Sequence, residues 1–147
     1  MGEPRIIGGE TMTPRFRAWD KTCKTMYEAD DIMYIDFEEK EICVKTLFFE
    51  KASRYNFDDI VLMQSTGLRD KNGKEMFEGD VIAIEVDDTG TPINARVFQN
   101  SKIGVLMFHV FEDNEDVPMV ELLEDDSVAF SIIGNIYENP ELAEVSS

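Results

Sequence analysis

Polar and apolar residues alternate along much of this chain in runs of strand length, separated by turn-forming clusters. The pattern predicts a mainly β protein with little helix. Arg15-Phe-Arg-Ala-Trp-Asp20 sets Phe16 and Ala18 on one face of a short strand and Arg15, Arg17 and Trp19 on the other. A turn at 20–24 leads into Thr25-Met-Tyr27. From Asp31 to Val44 the alternation resumes, with Ile32, Tyr34, Asp36 and Glu38 on one parity and Met33, Ile35 and Phe37 on the other. The charged Glu38-Glu-Lys-Glu41 divides that stretch, and the second strand runs from Ile42 to Leu47. Phe57 to Gln64 is too short for periodicity to separate strand from helix, and strand is the preferred assignment.

The second half is denser in turn signals. Asp70-Lys-Asn-Gly73 supplies a tight turn in which Asn72 and Gly73 tolerate positive φ, so Leu68 and Met76 lie on adjacent antiparallel segments. Glu78-Gly-Asp80 bends the chain again before the strand Val81 to Val86, and Asp87-Asp-Thr-Gly-Thr-Pro92 returns it to Ile93 to Phe98. Ile103 to Phe111 and Val128 to Tyr137 are further strands, while Val117 to Leu123 reads equally as strand or helical turn. Residues 65–138 therefore predict a small SH3-like β-barrel or sandwich. The implied division is a flexible glycine-containing arm at 1–14, an N-terminal β-rich part at 15–62, a C-terminal barrel-like part at 63–142 and a tail at 143–147.

With 147 residues, 43% of them hydrophobic, the chain can bury a core as one domain or as one domain with a smaller appendage. It contains no run of eighteen apolar residues, which argues against a membrane-spanning helix, and its start lacks the basic-then-apolar pattern of a signal peptide. A cytoplasmic location is the resulting expectation. Cys23 and Cys43 have no metal-ligand spacing and are expected as ordinary thiols.

Net charge is −17 and unevenly spread. Residues 1–54 hold nine Lys/Arg against eleven Asp/Glu, residues 55–105 five against nine, and residues 106–147 none against eleven. Phosphate neutralisation needs clustered bases, so nucleic-acid binding is disfavoured unless Arg15, Arg17, Lys21 and Lys24 form a local patch. A basic protein partner, self-association through other surfaces or no electrostatic partner at all fits the charge, and acidity that simply keeps the protein soluble is the preferred account. The candidate partner-binding residues are Glu112, Asp113, Glu115, Asp116, Glu124, Asp125 and Asp126 in two acidic loops, which could imitate nucleic-acid charge.

Catalytic signals are thin. Gly67, Gly73 and Gly79 recur at a spacing of six, but Gly73-Lys74 is followed by Glu75 rather than the Ser/Thr of a phosphate-binding loop. Asp70 to Glu75 has Glu75 where a calcium loop needs glycine. The single His109 lies in an apolar strand, expected packed or half-exposed. Asp58-Asp59, Asp87-Asp88 and Asp125-Asp126 could serve a metal-dependent hydrolase, but solvated turn charge accounts for them better. Trp19 reads as a core residue ahead of an interface anchor. No catalytic residue, cofactor or metal site is expected.

Phe16-Arg-Ala-Trp-Asp20, Leu62-Met-Gln64 with Thr66-Gly-Leu-Arg-Asp-Lys-Asn-Gly-Lys-Glu75, Glu78-Gly-Asp-Val81 and Ile133-Gly-Asn-Ile-Tyr-Glu-Asn-Pro-Glu-Leu142 occur in that order. Together they resemble the YopX family of phage and prophage proteins, from about Arg15 to Leu142. The resemblance implies a small bacterial or prophage-encoded protein, mostly β with a barrel-like C-terminal part, and homo-oligomeric; it implies no established activity. The arm and the acidic C-terminal third depart from it. The expectation is an accessory protein acting through self-association and protein contacts.

Overall fold

A computed structural model describes residues 15–45, 52–86 and 90–143, together with the backbone of two paired two-residue strands, β1 (Ile6–Ile7) and β2 (Glu10–Thr11). The rest of the expected arm, Asp87-Asp88 and residues 144–147 of the expected tail lie outside the described residues.

The chain is β-rich with little helix. β3 (Phe16–Asp20), β4 (Thr25–Tyr27), β8 (Ile60–Arg69) and β9 (Glu75–Phe77) form one antiparallel sheet in the order β4-β3-β8-β9. β5 (Ile32–Asp36), β6 (Glu41–Lys45) and β7 (Ala52–Asn56) form a second. Ala18, Ile42, Val44 and Ile60 make a buried core shared by these two sheets. The third sheet has the order β13-β12-β11-β10-β14. Its strands are β10 (Asp80–Val86), β11 (Ile93–Asn100), β12 (Val105–Val110), β13 (Glu115–Pro118) and β14 (Val128–Asn135). It is an open, curled half-barrel with β13 and β14 as its edges. Ile82, Ile84, Val97, Phe108 and Met119 are the centre of its core.

The alternation of β3 is as the pattern predicts. Ala18 enters the first core, while Arg17 and Trp19 project from the opposite face. That opposite face is buried too, because Trp19 stacks on Tyr137 at 5.9 Å and Arg17 lies over Phe77. Three other assignments change and one left open is resolved. A register shift between Ile32 and Tyr34 breaks the parity of β5, so Ile32 and Ile35 both reach the core and Met33 is left outside. Phe57–Asp59 is a 3₁₀ turn rather than the beginning of a strand, because the Asn56 side chain accepts a bond from Asp58 N and closes the turn locally. Val117 to Leu123 divides at Pro118, where β13 ends and a helix, α1 (Met119–Leu123), begins. Ile103 lies in the turn before β12, exposed rather than paired.

β8 runs unbroken through residues 62 and 63, and the passage from the N-terminal sheets to the C-terminal one falls at Glu78-Gly79. Gly79 N donates to Val97 O and Gly79 O accepts from Ile136 N, both at 2.9 Å. With φ at +89° and Tyr137 Cε2 and Met63 Sδ within 3.1 and 3.2 Å of where a Cβ would stand, only glycine fits without strain. Gly79→Ala is expected to lower unfolding stability by about 1–3 kcal/mol, measured as a fall in the urea midpoint. An unchanged midpoint would show that this corner yields.

Candidate functional site

Asp70 directly follows β8, and its carboxylate is buried. Oδ1 accepts from Asn72 N at 3.0 Å and Lys74 N at 2.8 Å, closing the turn, in which Gly73 alone takes positive φ (+83°). Oδ2 accepts from Ile132 N on β14 at 2.9 Å, and the neighbouring Lys71 N donates to Phe130 O at 2.9 Å. The hairpin is thereby sutured to the last strand of the other sheet. Burial pushes the Asp70 carboxyl up, but the bonds from Ile132 N, Lys74 N and Asn72 N outweigh it and hold the group below its usual range.

Beside this suture lies a cleft of about 410 Å³ between β3, the β8–β9 hairpin, β14 and the loop that follows it. Its floor is an ion pair: Arg17 Nη2 donates to Asp80 Oδ1 at 2.7 Å and to Glu78 O at 3.3 Å. Asp80 Oδ2 also accepts from Phe77 N at 2.8 Å. Both side chains are almost fully buried. Desolvation raises the Asp80 carboxyl, and the Arg17 charge and the Phe77 bond offset this only in part. The Arg17 guanidinium carbon sits 4.9 Å from the centre of the Phe77 ring, which clamps its plane, yet Arg17 Nε has no hydrogen-bond partner.

On the rim, Arg15 Nε is held by Glu75 and its Nη2 by Asp30 at 3.2 Å. Glu28, between β4 and the next 3₁₀ turn, reaches the cleft with no side-chain partner among the described residues. Burial raises its carboxyl; Arg17 and Lys74 pull it down, while Glu138 and Asp80 push it up. On the far wall Asn135 folds the chain after β14, its Oδ1 accepting from Tyr137 N and Glu138 N and its Nδ2 donating to Glu138 Oε1.

The blocks 62–81 and 133–142 thus meet here, and sequence reasoning, which related them only as parts of a family resemblance, missed Asp70, Arg17, Asp80 and Glu28 as a group. A signal was present: Arg17 shares a strand face with Trp19, a charged group among apolar neighbours that requires a buried partner.

The seven acidic residues singled out from sequence lie elsewhere, and all are exposed. Glu112 and Asp113 are in the β12–β13 turn, Glu115 and Asp116 on edge strand β13, and Glu124, Asp125 and Asp126 follow α1. Two have local work: Asp116 Oδ1 meets His109 Nδ1 at 2.7 Å across the β12–β13 ladder, and Asp125 holds Ser127. Among the described residues no group of three or more His, Cys, Asp or Glu side chains is arranged to hold a metal ion. Nor do Arg15, Arg17, Lys21 and Lys24 make a free basic patch, since carboxylates already hold both arginines. Cys23 is exposed and Cys43 buried, both free thiols, and the Asp20 charge raises the Cys23 thiol, against thiolate chemistry. Among the described residues no helix is long and apolar enough to cross a membrane.

The family model described as YopX protein matches residues 15–144. No curated protein matches the chain. Among solved structures, protein EF1440 from Enterococcus faecalis is similar at 28% identity over 91% of this chain and 100% of that one, with a TM-score of 0.60. Protein yopX from Bacillus subtilis is similar in fold, with a TM-score of 0.61 at 21% identity, over 88% of this chain and 98% of that one.

Proposed function

The chain belongs to the YopX family of phage and prophage proteins, and on that premise we propose that it is an accessory protein that works by contact with other protein chains, first of all copies of itself. The observation supporting this reading is β5. Among the described residues β5 has a single neighbour, β6, so its other side presents unpaired backbone groups. Along and just beyond it Met33 is 60% exposed, Tyr34 42% and Phe37 60%. A free strand edge with large apolar side chains is the kind of surface that adds a strand or a hydrophobic face from another chain. The bulge at Met33 is what turns that side chain outward. The acidic residues 112–126 offer a basic partner a separate face of matching charge.

Sedimentation and light scattering at micromolar concentration are expected to show a dimer or larger species. Met33→Glu with Phe37→Glu is expected to shift it to monomer, because each lost apolar anchor removes about 1.5–3 kcal/mol of association energy. The circular dichroism spectrum should not change. A wild-type monomer throughout that range, or an oligomer indifferent to both substitutions, would refute self-association through β5.

A further inference from the structure

We infer that the cleft beside the Arg17–Asp80 pair binds a small zwitterion of the α-amino acid type, with its carboxylate on Arg17 and Lys74 and its ammonium on Glu28 and Glu138. The cleft is a built site. Arg17 is 5% exposed, lines the cleft and makes its protein hydrogen bonds through Nη2 alone, while Nε is buried without a partner. The guanidinium, held over Phe77, has five donors and keeps some beyond those that Asp80 and Glu78 accept. Lys74 adds a second cation whose side chain has no partner among the described residues.

The lining also carries the opposite sign. Glu28 is unpaired, and Glu138 uses one oxygen on Asn135 and keeps the other. Five carboxylates against three bases line the cleft, so a bare anion meets net repulsion. A bare cation leaves the spare donors of buried Arg17 without an acceptor, which is costly, and gains nothing from the exposed Lys74. A ligand with adjacent charges of both signs satisfies both sets. The volume of about 410 Å³ falls within the roughly 300–1,000 Å³ of small-molecule pockets.

Titration calorimetry of the full chain with L-alanine, L-lysine and L-glutamate tests this, with ethylammonium and propionate as controls carrying one charge each. At least one amino acid is expected to bind with a dissociation constant of about 1 mM or tighter, and each control at least about tenfold more weakly. Glu28→Gln and Lys74→Met, which remove no fold contact, are expected each to weaken binding about tenfold without moving the thermal midpoint. Absence of heat with all three amino acids, equal binding of either control, or affinity unchanged in both variants would overturn the assignment.

Discussion

Arg17→Leu is expected to destabilise the protein by about 3–5 kcal/mol, because it leaves the Asp80 carboxylate buried without its countercharge. Arg17 is on β3 and Asp80 opens β10, so their bond joins the N-terminal sheets to the C-terminal one. Burial already holds the Asp80 carboxyl above its usual range. With Arg17 gone it should rise further and take up a proton. The signature is a cycle: Arg17→Leu with Asp80→Asn removes the charge while keeping an acceptor for Phe77 N, and should recover about half of the loss. Urea unfolding of the wild type, both single variants and the double variant measures it. Additive losses, or an Arg17→Leu variant within about 1 kcal/mol of wild type, would show that the pair is not a clamp.

Local pattern carried much of this fold. Period-two alternation identified β3 and its two faces, and the Asp-Lys-Asn-Gly sequence located the hairpin turn, because both depend on residues near in sequence. The bulge in β5 escaped it. Alternation assumes unbroken pairing, whereas the register shift at Met33 is set by where Ile32 and Ile35 find the core. The open form of the C-terminal sheet depends on which strands pair at its edges, which periodicity does not encode. The cleft was legible only as two blocks without a relation. Asp70 and Ile132, like Arg17 and Asp80, are more than sixty positions apart, and nothing in either block announces the other. Charge density marks residues 112–126, where acidity is abundant but solvated; the informative carboxylates are the buried ones, which a count of charge cannot distinguish.

Asp70→Ala is expected to cost about 3–5 kcal/mol or more, since three backbone donors, from Asn72, Lys74 and Ile132, lose one charged acceptor. Asp70→Asn keeps one acceptor oxygen and should lose less. The pH dependence has a definite sign. Asp70 and Asp20 are both held below the usual carboxyl value of 3.8; burial opposes this in each, and hydrogen bonds prevail. For Asp20 these come from Cys23 N, Tyr27 OH and Thr22 N. A depressed carboxyl contributes stability that is full above its unfolded value and is lost as pH falls through its folded value. Asp80, held up, works the other way, and its cost is relieved as acid protonates it. Unfolding followed from pH 7 downward should therefore show stability falling below about pH 4, with a shallower fall in Asp70→Asn. An identical slope in the two proteins would remove Asp70 from the acid response.

The suture from Asp70 to Ile132 also constrains the order in which the molecule can form. The turn at 70–74 is a local structure that ought to close early, yet the second oxygen of its central carboxylate waits for a strand 62 residues downstream. Until β14 arrives, the hairpin holds a carboxylate with part of its coordination to water, and the β10 side of the sheet lacks its edge. On a ribosome that interval is the time needed to synthesise the intervening strands, so the early hairpin remains provisional and the final strand locks both sheets in one late event.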